Sequence, residues 1–121
     1  MQPIIFYAVL AFLFAHECDA VYRHEWRLLY GFRRMRDEVA AKFFIVLHVP
    51  LFLILMWLGG HPDESVRWWS QLVISAFMVV HTFLHWRLRH HAKYEFEGWE
   101  SNSLIWGGGL LGLLSSLLLI L

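Results

Sequence analysis

The stretch His16-Glu17-Cys18-Asp19-Ala20-Val21-Tyr22-Arg23-His24-Glu25-Trp26-Arg27 places two histidines, three carboxylates and two arginines directly after the uncharged run 4–15. At about 100° per residue on a helix, Glu17 and His24 lie nearly on one line, with His16 within a right angle of them. Asp19, Arg23 and Arg27 flank that line, and Glu25 points the other way. Further along, His48 stands alone in an apolar segment two residues before Pro50, and His81 and His85 are one helical turn apart. Imidazole and carboxylate together suit zinc, iron, manganese or copper, and histidines at i, i+4 present two nitrogens from one helix face. The candidate metal ligands are therefore His16, Glu17, His24, His48, His81 and His85, holding one or two transition-metal ions, iron or zinc foremost. Glu17 or Asp19, if left uncoordinated, is placed to act as a catalytic base.

Some familiar patterns are absent. The Glu-x-x-His repeat of dinuclear carboxylate bundles does not occur, and Ala20 stands where the His-Glu-x-x-His motif of zinc proteases needs its second histidine. A single histidine on an apolar face is commonly a satisfied core residue, and Asp19 with Arg23 or Glu25 with an interfacial arginine read as salt bridges. The metal reading comes from convergence: five histidines on three segments, at matched depth. His61 reads as solvated. His90 and His91, which end a basic run, and Tyr94, Glu95 and Glu97 beyond them have open roles: a lid, a further ligand or proton relay, or an amphipathic loop.

What must position these groups is a set of apolar helices. Of the 121 residues 59% are hydrophobic and 17% aromatic, and the ten basic and ten acidic residues cancel. Four segments stand out, at about 3–30, 38–58, 66–90 and 103–121, and the last carries no charge and is long enough to span a bilayer. The expected fold is all-α: one integral-membrane domain, 1–121, an up-down four-helix bundle with the second helix kinked at Pro50. A soluble bundle needs a polar stripe on every helix, and the fourth segment has none. Asp63 or Ser65 is the expected N-cap of the third helix.

Arginine and lysine crowd the first link (Arg23, Arg27, Arg33, Arg34, Arg36, Lys42) and the third (Arg87, Arg89, Lys93), whereas the second has Arg67 alone. The positive-inside rule then places both termini outside and the histidines in the cytoplasmic half of the membrane, with tryptophans near both interfaces. Arg33-Arg34-Met35-Arg36 belongs to this pattern rather than to nucleic-acid binding. The first fifteen residues lack a basic start and a small-x-small cleavage site, so they are expected to stay as helix rather than be removed. With Cys18 alone, there is no intrachain disulfide and no cysteine zinc site. Gly108, Gly112 and Ser116 form a small-residue row that suits either packing within the chain or a homodimer contact.

The leading functional expectation is a membrane-embedded metalloenzyme acting on a hydrophobic or lipid-like substrate. A haem-b electron carrier is one alternative, using two histidines from facing helices. A non-enzymatic ion or proton pathway, or a partner subunit, is another. The blocks His-Glu-Cys-Asp-Ala (16–20), His-Glu-Trp-Arg-Leu-Leu (24–29), His-Val-Pro-Leu (48–51), His-Thr-Phe-Leu-His-Trp (81–86) and Tyr-Glu-Phe (94–96) resemble a small uncharacterised bacterial membrane-protein family, domain of unknown function 6713. The resemblance implies a bacterial inner-membrane protein and supplies no activity. A looser similarity is to the His-box membrane desaturases and hydroxylases. His81-x3-His85 matches their first box, but His85 to His90-His91 is one residue too long for the second.

Overall fold

The computed structural model describes residues 2–121, which form four long α-helices and two short 3-10 turns with no strand among the described residues. Helix α1 spans Gln2–Tyr22, α2 Asp37–Gly59, α3 Glu64–Leu88 and α4 Trp99–Ile120. The 3-10 turns, Glu25–Leu28 and Tyr30–Phe32, fill the α1–α2 link. The fold is the expected up-down all-α bundle. Helices Pro3–Tyr22, Asp37–Gly59 and Trp99–Ile120 are long and apolar enough to cross a membrane.

Helix α4 is the centre of the packing, lying against both α1 and α3. It gets there because, apart from Ile105, its buried residues are small: Ser101, Gly108, Gly109, Gly112 and Ser115. A Cβ on Gly112 would sit 2.5 Å from the Ser75 carbonyl oxygen, a backbone atom that cannot give way. Gly108 and Gly112 are thus buried against α3 within the chain, and Ser116 donates to the Gly112 carbonyl. Close approach lets side chains bond across the interface. Ser75 Oγ donates to Ser115 Oγ at 2.9 Å, and Thr82 Oγ1 reaches the Ile105 carbonyl at 2.8 Å.

Helix α2 does the opposite. It buries only Ala40, Phe44 and Gly59, leaving Val49 71% and Trp57 60% exposed. So large an apolar surface is not one that water tolerates on an isolated soluble chain. Pro50 does not interrupt it, and the helix runs on to Gly59. Helix α3 begins where Asp63 accepts the Val66 amide at 3.0 Å, the N-cap that the sequence suggests.

Two helix ends differ from expectation. The fourth helix starts at Trp99 rather than near 103. The first stops at Tyr22 rather than near 30, because His24 adopts the left-handed conformation (φ 56, ψ 45) and the chain turns there. A left-handed residue ends helices, and the role usually falls to glycine because a Cβ costs about 1–2 kcal/mol in that region. Here fixed contacts on either side hold it. His24 Nδ1 meets Glu95 Oε2 at 2.9 Å, and buried Trp26 donates its indole N–H to Asp37 at 2.8 Å. Arg27 grips the same Asp37 carboxylate with two donors, at 3.0 and 2.7 Å.

Candidate metal centre

The turn at His24 decides where Glu25 goes. On a continuous helix Glu25 would stand nine residues from His16, on the opposite side. The left-handed turn instead folds it back against α1 and α3, where it is buried. The expectation that Glu25 faces away is therefore corrected: with His16, His81 and His85 it forms a group whose ligand atoms all lie within 4.8 Å of one another.

Each member arrives by a different route. His16 comes from α1 and is fully buried; His81 and His85 come from adjacent turns of α3. Their Nε2 atoms converge, His16 to His81 at 2.9 Å and His81 to His85 at 3.1 Å. Glu25 Oε2 lies 3.5 Å from His16 Nε2 and 3.7 Å from His85 Nε2. Phe96, carried in by the α3–α4 link, packs against the His16 and His85 rings and is itself buried.

These separations carry chemical meaning. Two atoms bound at 2.0–2.1 Å to one tetrahedral ion stand roughly 3.3 Å apart. Four of the six spacings, 2.9, 3.1, 3.5 and 3.7 Å, bracket that value, and all lie within 4.8 Å. Hydrogen bonding alone leaves the group unsatisfied. Among the described residues, two buried side-chain polar atoms have no hydrogen-bond partner, Glu25 Oε2 and His16 Nδ1, and both belong to this group. Burial pushes the Glu25 carboxyl up, but His16, His85 and His81 outweigh it and hold the group below the ordinary carboxylate range. On the outer side of His85, Nδ1 meets the Tyr94 hydroxyl at 3.1 Å. With Nδ1–H donating to that hydroxyl, Nε2 is left as the coordinating atom. Burial, with the charges of Glu25 and Glu97, pushes the Tyr94 phenol up to about 12.

The other candidate ligands are placed elsewhere. Glu17 Oε2 pairs with His48 Nε2 at 2.7 Å, while His48 Nδ1 faces the Phe44 carbonyl. That carbonyl can only accept, so Nδ1 carries a proton and the Glu17–His48 contact holds another. His24 is committed to Glu95, half-exposed. Asp19 accepts from Arg23 and from Ser101 Oγ, tying α1 to α4; Arg23 also pairs with Glu100. His91 accepts the Lys93 amide, and His61 accepts the Asp63 amide.

Three of the six sequence-derived ligands, His16, His81 and His85, thus come together, and Glu17, His24 and His48 do not join them. What the sequence missed is Glu25, and Phe96 behind the histidines; Tyr94, whose role it left open, stands against His85. Phe96 had a signal, being an apolar residue inside a charged link, but Glu25 had none apart from the left-handed tendency of histidine.

No curated protein and no solved structure matches the chain. The model of one family, described as a family of unknown function (DUF6713), matches residues 2–121, and the chain belongs to that family.

Proposed function

We propose that the protein is an integral membrane metalloprotein in which His16, Glu25, His81 and His85 hold one divalent transition-metal ion. The observation that carries this reading is the meeting of three Nε2 atoms and one carboxylate oxygen at the spacings of ligands around a single ion. The apolar helices and the exposed face of α2 support the bilayer as its surroundings. By the positive-inside rule, the arginines and lysines of the first and third links support a metal in the cytoplasmic half, with both termini outside.

The donor set bears on what the ion does. Four protein ligands complete a tetrahedral zinc and make a structural site. Iron accepts further ligands, so the same four residues leave open positions, and an enzyme acting on a hydrophobic substrate from the bilayer follows from iron rather than zinc.

The geometry favours a chelate over the two alternatives. A proton relay enters a ring at one nitrogen and leaves by the other; His85 has such contacts, Tyr94 at Nδ1 and His81 at Nε2, but His81 meets both His85 and His16 through Nε2 alone. Two axial haem ligands must face each other across a macrocycle, and these imidazoles approach too closely to admit one.

Elemental analysis and a visible spectrum of purified protein test the reading. The expected result is about one ion per chain and no haem band. His81→Ala and His85→Ala should lose bound metal and thermal stability together, while His61→Ala loses neither. Absence of metal from the wild-type protein, after growth in iron- and zinc-replete medium, would overturn it.

A further inference from the structure

An apolar cavity of about 400 Å³ lies between α3 and α4, lined by residues that include Val79, Phe83, Leu110 and Leu113. A second cavity, of about 250 Å³, is lined by His85, Arg89, Tyr94, Glu97 and Asn102 among others. Trp86 and Trp106 line both, so the two cavities adjoin along one wall. The first is an open apolar groove, with Phe83, Leu110 and Leu113 exposed along it. The other has hydrogen-bond donors and a metal-site histidine in its lining.

We propose that the pair binds one single-chain amphiphile with a carboxylate head, a long-chain fatty acid, its chain along α3 and α4 and its head against Arg89, Asn102 and Tyr94. Charge and donor count choose the head group. The Arg89 guanidinium stacks on the Trp86 ring at 4.4 Å and spends one N–H on the Trp86 carbonyl, which fixes its position and leaves its other donors. Asn102 spends one amide hydrogen on the Gly98 carbonyl and keeps the other. Tyr94 receives His85 Nδ1–H when His85 coordinates through Nε2, so its own O–H points to a further acceptor. A carboxylate takes two or three such bonds. Glu97, in the same lining, sets a limit on charge: it disfavours a dianionic phosphate more than a monoanion.

This inference goes beyond the metal reading, since of the four proposed ligands His85 alone lines the second cavity, on its Nδ1 side, and it is tested on binding alone. Trp86 and Trp106 are built-in reporters. A bromine-bearing stearic acid, titrated into the detergent-solubilised protein, should quench tryptophan fluorescence saturably. Its methyl ester, unable to form the charged pair, should bind about tenfold more weakly or worse, as expected for a charge-assisted hydrogen bond. Arg89→Gln should bring the acid down to the ester's affinity. Leu113→Phe, which fills the chain cavity, should weaken both, and metal content should not change in either variant. Equal affinity for acid and ester, or binding indifferent to Leu113→Phe, overturns the inference and leaves the metal reading intact. Selective acid binding by a protein with no metal leaves this site standing and removes the metal.

Discussion

The two ends of the bundle handle buried polarity in opposite ways. At the end near the α2–α3 turn, Gln71 donates to the Gly59 carbonyl and Trp68 to the Leu119 carbonyl, and deeper in, Ser75 pairs with Ser115. All of these side chains are neutral, and each bond ties one helix to another. At the other end, three imidazoles and a carboxylate are packed together, with Glu25 Oε2 and His16 Nδ1 lacking hydrogen bonds. A buried polar group without a partner costs about 1–3 kcal/mol. A chain of 121 residues has little stability with which to carry several of them. The contrast is between polar groups that are matched one to one, the neutral pairs here and the Asp19–Ser101 and Glu17–His48 contacts between helices, and a group that is not. At the histidine end Glu25 Oε2 faces the Nε2 atoms of His16 and His85 without a hydrogen bond, acceptors that one cation would take together.

The comparison can be broken from either end. The largest expected effect on folding is at the neutral end. Gly112→Leu forces a side chain onto the Ser75 backbone and should cost about 3 kcal/mol, read as a lower thermal midpoint in detergent. Metal per folded chain should not change. Next comes Tyr94→Phe, which removes the partner of His85 Nδ1 and should weaken metal affinity by about 10–100-fold with little change in apoprotein stability. Competition with a chelator measures it.

His24 links the two kinds of effect. His24→Val puts a β-branched side chain in the left-handed region, where such residues are outliers even though histidine is tolerated, and should lower the thermal midpoint. It should also weaken metal binding, because Glu25 loses its aim. His24→Gly, which takes that conformation freely, should keep the metal even though it gives up the Glu95 contact. Equal losses in both variants would show that the imidazole, not the turn, matters. The smallest effect is Ser115→Ala, about 1 kcal/mol of stability for the bond to Ser75, with metal content unaltered.

How much of this is legible in the sequence follows from the range of each interaction. The four helices are local, written in apolar runs and in the Asp63 cap, and so are His81 and His85, which share a face by their spacing. His16 could be matched to them by depth. Glu25 could not. Its place depends on one backbone angle at His24, and residues 20–30 contain no glycine or proline to announce a helix end there. That angle is held by Glu95, 71 residues away, and by the Trp26 and Arg27 bonds to Asp37. Phe96 is equally remote from the His16 ring, although it and Tyr94 are both near His85 in the chain. Helical phase alone therefore chose Glu17, on α1, which is bonded to His48 instead.

Those two carboxylates give the most direct test of the central claim. Glu17 and Glu25 are both buried, both on the same stretch of chain and both beside histidines. Metal per chain is to be measured in the wild type, in Glu25→Gln and in Glu17→Gln, each variant keeping size and losing charge. The account predicts about one ion in the wild type, a loss of most of it in Glu25→Gln, and retention in Glu17→Gln. Full metal in Glu25→Gln, or loss in Glu17→Gln alone, would contradict it.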